Sequence, residues 1–205
     1  MTITVDHIAS FLTGFRRKEL GKPQLKKAAV LMLFYSRNGE LYVLMTKRTE
    51  DVEHHKGQIS FPGGSHDDVD SDLVVTALRE SEEEIGLPRE VVRVLGLFDE
   101  YETPSGFSIT PVVASAETLP LLTPHAAEVA AILEVPVSLF MDKQNERVEQ
   151  RAPLGIPLNV YFYRFGEYEI WGATAAILRS FLLSLRQSFE EHPDRPAGAN
   201  PKKTL

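Results

Sequence analysis

Cysteine is absent from the 205 residues. Disulfides, thiolate metal sites and cysteine nucleophiles are therefore excluded, and any metal must be held by carboxylates or histidines, which favours a hard cation over zinc. No apolar run reaches the roughly 20 residues that a membrane-spanning helix needs. The opening "MTITVDHIASF" also lacks the basic region, apolar stretch and small-residue cleavage site of a secretory leader. The expectation is a cytoplasmic protein with no membrane partner. Positive charge is in deficit too, with 22 Lys and Arg against 29 Asp and Glu and a net charge of -7. Nucleic-acid binding relies on a clustered basic surface that releases counterions. None is visible, and no nucleic-acid partner is expected. An acidic protein can still act on an anionic substrate when a bound divalent cation reverses the local field.

What is present is an ordinary globular composition, 43% hydrophobic and 25% charged, consistent with one domain of moderate size. Ile8, Phe11, Leu12 and Phe15 recur at helical spacing within residues 4–18, so a helix and lead-in over 1–24 precede the main fold. "KKAAVLMLFYS" reads as a buried strand, and the Asn-Gly of "RNGE" turns it into a second strand, "LYVLMTKR". "GQISF" is a short strand stopped by "PGG". "VVRVLGLFDEYE" and "FSITPVVASA" predict two more strands, and "AILEVPVSLF" a strand passing into a short helix. "NVYFYRF" and "YEIWG" are late strands. Ile177, Leu178, Phe181, Leu182, Leu185 and Phe189 mark a closing helix, and Trp171 and the phenylalanines are expected in the core. The main domain spans 25–190, and the polar tail 191–205 is expected to be disordered. Oligomeric state is not legible, and a homodimer is left open.

The segment "TALRESEEEIGL" (76–87) breaks two local rules. Carboxylates one turn apart repel, and these crowd the negative end of a helix dipole. Sites that break local rules are where function is sought first. After "DDVDSD", whose acids and Ser71 suit a helix start, the helical period puts Val74, Ala77, Leu78, Ser81 and Ile85 on the core face. Glu80, Glu83 and Glu84 form a stripe beside it, and Glu82 points away to solvent. Mg²⁺ takes oxygen ligands and is usually held by one or two carboxylates plus substrate phosphates. The pair Glu80 and Glu84, one turn apart, meets that demand.

"GGSHDDVDSDLVVTALRESEEEIGL" (63–87) resembles the Nudix box, in which a Gly, five residues, Glu and seven residues precede R-E-U-x-E-E-x-G-U, U being aliphatic. Arg79, Glu80, Glu83, Glu84, Gly86 and Leu87 match. Asp70 stands in place of the first Glu, separated from Arg79 by eight residues where the box has seven, and Ser81 replaces an aliphatic residue; Asp70 is given no role. Upstream, "LMTKRTEDVEHHKGQISFPGG" (44–64) is similar to the signature of the coenzyme A pyrophosphatase branch through Leu44, Thr46, Arg48, Gly57, Phe61, Pro62, Gly63 and Gly64. Glu53 sits where that signature has Arg. "EIWGATAAIL" is similar to the branch's closing strand and helix.

The resemblance implies an α/β fold, an α/β/α sandwich with a mixed central sheet, and Mg²⁺ or Mn²⁺ as cofactor. The implied substrate is a small-molecule nucleotide, and in this branch the reaction cuts coenzyme A into 4'-phosphopantetheine and adenosine 3',5'-bisphosphate. The alternatives are the same chemistry on an NDP-sugar, NADH or an oxidised dNTP, and a nucleotide sensor that does not cleave. Glu80 and Glu84 are the expected metal ligands. Glu83 is either a third ligand or the group that orients water. Arg79 would hold the glutamate rotamers. Glu128, in "TPHAAEVAAILEVP", is a candidate ligand or general base from outside the box. Arg48 is a phosphate contact, His55 and Lys56 reach toward substrate, and Gly63 and Gly64 allow a tight turn beside the metal. His54 and His125 are assigned nothing.

Overall fold

The computed structural model describes residues 2–50, 56–152 and 157–191. The chain runs through α1 (Val5–Gly14), β1 (Lys26–Arg37), β2 (Glu40–Arg48), β3 (Ile59–Ser60), β4 (Gly63–Ser65) and α2 (Leu73–Ile85). It continues through β5 (Arg93–Leu97), β6 (Tyr101–Glu102), β7 (Phe107–Ser115), β8 (Val129–Pro136) and α3 (Ser138–Met141), then β9 (Glu146–Arg151), β10 (Leu158–Phe165), β11 (Tyr168–Trp171) and α4 (Gly172–Glu191).

β1 is the near-continuous apolar run, and its alternation explains why it reads so. Met32 and Phe34 enter one core cluster, whereas Ala29, Leu31 and Leu33 enter another on the opposite face. A strand buried on both faces has no polar side to show. α1 and α4 cover the first face, with Ile8, Phe11, Phe181 and Leu185 in its core. α2 covers the second through Ala77 and Ile85. The result is the expected α/β/α sandwich. Its sheet is mixed, because β7 runs parallel to β1 over Lys26–Phe34, while β2, β4, β5, β6 and β8 pair antiparallel to their neighbours.

The feature that positions the site is a split between β1 and β2. The two pair only near their hairpin, from Phe34↔Val43 to Arg37↔Glu40, where Asn38 and Gly39 both take positive φ, as a two-residue hairpin turn demands. Beyond that they part. β4 then lines β1 (Ala28↔Ser65 to Val30↔Gly63), and β3 lines β2 (Thr46↔Ser60). "FPGG" thus crosses the opening, with Leu31 N–H donating to Pro62 O at 2.8 Å.

Several expectations change. The first helix ends at Gly14, and Phe15 is its extended C-cap, although the Phe15 ring still packs on the core. "VVRVLGLFDEYE" is two strands, because the chain leaves the sheet at Asp99 and Glu100. Their carboxylates accept the backbone N–H groups of Lys18 and Leu20, both at 2.7 Å, and so fasten the strap between α1 and β1. A three-stranded sheet, β11-β10-β9, was not foreseen as a unit. Trp171 and Phe162 stack on each other at 5.8 Å in neither core cluster, beneath the guanidinium groups of Arg147 and Arg151. The tail from 192 and the residues Glu53, His54 and His55 lie outside the described residues. Among the described residues, no helix is long and apolar enough to cross a membrane.

Gly63 has φ 148°, and a Cβ there would overlap Ala29 O and Val30 Cα across the β1–β4 pair. Gly63→Ala is expected to cost on the order of 3 kcal/mol, from backbone strain plus overpacking. Gly21→Ala, at a left-handed position that opens on free space, should cost only about 1 kcal/mol. Urea unfolding midpoints of the two variants check this, and equal losses would contradict it.

Candidate functional site

α2 begins where Asp72 caps it, its Oδ1 accepting from Val74 N–H at 2.8 Å and Val75 N–H at 2.9 Å. It ends at Gly86, whose φ of 65° is the left-handed conformation glycine tolerates. The opposite wall of the split lies close against it. A Cβ on Gly64 would collide with the Glu80 carboxylate, and Gly63 N–H donates to Glu84 Oε2 at 3.2 Å. The two glycines therefore let strand backbone approach two helix carboxylates.

Glu84 is only 4% exposed. Burial pushes its pKa up to about 7, against the lowering effect of the Gly63 N–H and of Arg48, and the charges of Glu80 and Glu128 push it further. Arg48 Nη1 lies 3.6 Å from Glu84 Oε1, and Arg48 Nε is buried with no acceptor among the described residues. Glu80 is also raised, first by burial and then, against Arg79, by Glu83 and Glu128. Glu80, Glu84 and Glu128 therefore feel one another.

Glu128 arrives from outside the helix, in a turn before β8. Thr123 N–H donates to Ile85 O at 3.0 Å and His125 N–H to Glu84 O at 2.8 Å, so this segment satisfies orphan carbonyls at the end of α2. On its other side, Thr49 Oγ1 donates to Ala127 O at 3.1 Å and Thr49 N–H to Glu128 O at 2.9 Å. His125 Nδ1 lies 3.5 Å from Glu128 Oε1. His125 is a local neighbour three residues before this acid, whereas sequence spacing could not reveal Thr49, whose contact is tertiary.

Arg79 has the densest contacts. Its Nε and Nη2 donate to the two oxygens of Asp70 at 2.9 and 3.0 Å, and Nη1 lies 2.9 Å from Glu80 Oε1 and 3.1 Å from Glu83 Oε2. Asp70 is buried and also accepts from Thr76 Oγ1 at 2.9 Å. The Arg79 hydrogen bonds hold its pKa well below the usual carboxylate range. Asp70 was given no role because its spacing to Arg79 is one residue too long. The loop absorbs that residue by folding back, with Asp70 N–H donating to Asp67 O at 3.0 Å and Asp67 N–H to Asp70 Oδ2 at 3.2 Å.

Three glutamates were expected to converge, but among the described residues no three acidic or histidine side chains already stand as a metal cage. Glu83 is 60% exposed and turns to Arg79. Like charges on one helix face repel, so each carboxylate takes a guanidinium or N–H partner. The donor chemistry nevertheless fits a hard divalent cation: the acids supply only oxygen, two of them are raised by burial and mutual repulsion, and Gly64 leaves room above Glu80. Glu82 pairs with Arg89 at 2.8 Å on the solvent side, as expected. Gly57 carries a positive φ at the edge of the opening. His55 lies outside the described residues.

The NUDIX domain family model matches residues 25–150, more than half of the chain. The chain belongs to the Nudix family. It is 33% identical over 190 residues to "Uncharacterized Nudix hydrolase NudL" of Enterobacter sp. (strain 638), covering 89% of this chain and 95% of that one. It is 38% identical over 160 residues to "Nudix hydrolase 22, chloroplastic" of Arabidopsis thaliana, which takes in 75% of this chain and 53% of that protein. The match thus spans about half the length of the plant relative. The fold is also that of a Nudix hydrolase from Alicyclobacillus acidocaldarius, with a TM-score of 0.51 at 21% identity over 78% of this chain and 91% of that one. Nudix hydrolases generally use divalent metal ions and act on small nucleotides.

Two predictions follow from the charges. The lowered pKa of Asp70 adds stability that is fully present above the ordinary value of about 3.9 and is lost as pH falls through the folded value. Asp70→Asn should therefore cost about 3 kcal/mol at pH 7 and progressively less toward pH 2, as read from urea midpoints. Glu84 has the opposite sign: its raised pKa means that stability present below about pH 4.3 is lost as pH rises toward about 7. With a chelator present, Glu84→Gln should gain about 2 kcal/mol at pH 8 and nothing at pH 4. A loss at pH 8 would show that the ionised carboxylate is not a strained group.

Proposed function

We propose that the protein is a Mg²⁺- or Mn²⁺-dependent pyrophosphohydrolase that cuts coenzyme A, or an acyl derivative, into 4'-phosphopantetheine (or its acyl form) and adenosine 3',5'-bisphosphate. The observation that carries the hydrolase reading is the buried Glu84 carboxylate, ringed by Glu80, Glu128 and Arg48. The choice of coenzyme A rests on the similarity of residues 44–64 to the branch signature. Glu53, a carboxylate where that signature has a guanidinium, favours a second reading in which the substrate is an NDP-sugar, NADH or an oxidised dNTP.

A bound dication would neutralise diphosphate oxygens and make an attacking water more acidic. Glu80 and Glu84 would hold it, and Glu83 would either join them or orient the water. Arg79 fixes Glu80 and Glu83 while Asp70 fixes Arg79. Arg48 contacts a phosphate oxygen of the substrate through its guanidinium. Glu128 takes the water's proton on a carboxylate oxygen or adds a further ligand. The water oxygen bonds to one phosphorus, the bond from that phosphorus to the bridging oxygen breaks, and the bridging oxygen leaves on the second phosphate. Gly63 N–H steadies Glu84 throughout.

The test is incubation with coenzyme A and a nucleotide panel, with Mg²⁺, Mn²⁺ or chelator, and mass identification of both products. Coenzyme A should give the two named products only with metal. Glu84→Gln, folded and more stable at pH 8, should lose at least about 10³ in kcat/KM, equivalent to about 4 kcal/mol. Equal or faster turnover of a nucleotide lacking pantetheine would displace the first reading by the second. A near-normal rate in Glu84→Gln would end the metal assignment.

A further inference from the structure

Thr76 stands one helical turn before Arg79 and Glu80, on the side of α2 that carries the acids. It lies outside the apolar stripe of that helix, yet it is fully buried. A buried hydroxyl is costly unless its hydrogen and its oxygen both find partners. Two acceptors are in reach of the hydrogen, Asp72 O at 3.2 Å and Asp70 Oδ2 at 2.9 Å. Asp72 O already receives the Thr76 N–H at 3.1 Å, and the nearer, charged acceptor makes the stronger bond. The hydroxyl therefore points at Asp70.

That choice leaves the Thr76 oxygen to accept, and His66 Nδ1 lies 2.9 Å from it. His66 must then carry a hydrogen on Nδ1. The imidazole does not reach the carboxylate directly, since Nδ1 is 3.9 Å from Asp70 Oδ2, beyond hydrogen-bond length. His66 is itself fixed to the sheet just past β4, its N–H donating to Lys27 O at 2.9 Å. An unbroken chain thus runs from the glycine strand into the acidic helix: His66 to Thr76, to Asp70, to Arg79, and on to Glu80 and Glu83. Two residues back along the same strand, Gly64 faces the Glu80 carboxylate. The strand therefore meets the helix twice, by close approach at Gly64 and by hydrogen bonding at His66.

We propose that Thr76 and His66 are positioning residues of the site: the His66 Nδ1–H holds the Thr76 hydroxyl on Asp70, and through Arg79 this fixes Glu80 and Glu83 for hydrolysis. Asp70 is borne by a loop, and the hydroxyl moors its carboxylate to the helix on which Arg79 also stands. Without that mooring the carboxylate turns more freely, and the guanidinium that it orients loosens with it. The effect on turnover rests on the hydrolase reading, whereas the hydrogen-bond chain stands without it.

The test compares Thr76→Val, Thr76→Ser, His66→Ala and His66→Asn in the full chain. Serine keeps the hydroxyl, and the asparagine Nδ2 stands where the imidazole Nδ1 does, so each pair separates the hydrogen bond from the loss of bulk. Without metal or substrate, nitrogen NMR of the wild type should find the His66 hydrogen on Nδ1. The Arg79 Nε–H should exchange with solvent about tenfold faster in Thr76→Val and His66→Ala, and at the wild-type rate in Thr76→Ser and His66→Asn. With Mg²⁺ and a nucleotide that the wild type cuts, kcat should fall roughly tenfold in Thr76→Val and His66→Ala with KM little changed, and recover in Thr76→Ser and His66→Asn. His66 is half-buried, so His66→Ala carries the test should Thr76→Val lower the melting temperature. A hydrogen on Nε2 alone, unchanged Arg79 exchange in both Thr76→Val and His66→Ala, or equal loss of kcat in all four variants would overturn the proposal. A wild type that cuts no nucleotide would sink the hydrolase reading instead, and the tautomer and exchange measurements would still decide the chain.

Discussion

The contact between the Gly63 N–H and the Glu84 carboxylate is the constraint around which the molecule is arranged. It brings a strand backbone and an acidic helix to a distance at which no side chain fits between them. The split in the sheet exists to let that strand in: β1 gives up β2 for β4, and β2 gives up β1 for β3. Glycine is needed twice in succession for different reasons. At Gly63 the neighbour is the β1 backbone, and at Gly64 it is a glutamate.

Close approach concentrates negative charge, and the surroundings are organised to contain it. Arg79 bridges Asp70, Glu80 and Glu83, and Arg48 faces Glu84. At the end of α2 the free carbonyls accept from Thr123 and His125. The two local rules that "RESEEEIGL" breaks are therefore compensated by tertiary partners, none of them in the helix itself except Arg79. The remaining repulsion at Glu84 is not cancelled, and burial keeps its pKa raised.

Much of this was legible in the sequence, and the limits have physical reasons. Strands buried on both faces, such as β1, show as apolar runs, and α4 shows its core stripe from Ile177 to Phe189. The i, i+4 spacing of Glu80 and Glu84 put both carboxylates on one side, where the structure finds them. β4 and β9 escaped because a three-residue glycine-rich strand and "ERVEQR", in which Val148 is the one apolar residue, carry no hydropathy alternation. Asp70 escaped because strict spacing ignores what a folded-back loop can absorb. Trp171 is expected in the core because aromatic residues usually are, but it is half-buried beneath the Arg151 guanidinium, while the Phe162 on which it stacks is buried as expected.

The clasp formed by residues 123–128 has a consequence for how the chain can vary. Thr123 and His125 fasten it to the last turn of the acidic helix, and Thr49 fastens it to the end of a central strand. The acid at its tip is thus registered to both by main-chain geometry, whatever the length of the run that leads in from β7. A graft from a relative would move the acid as one cassette if its seams fell outside those anchoring amides and left Leu119 and Leu122 on the core they pack against.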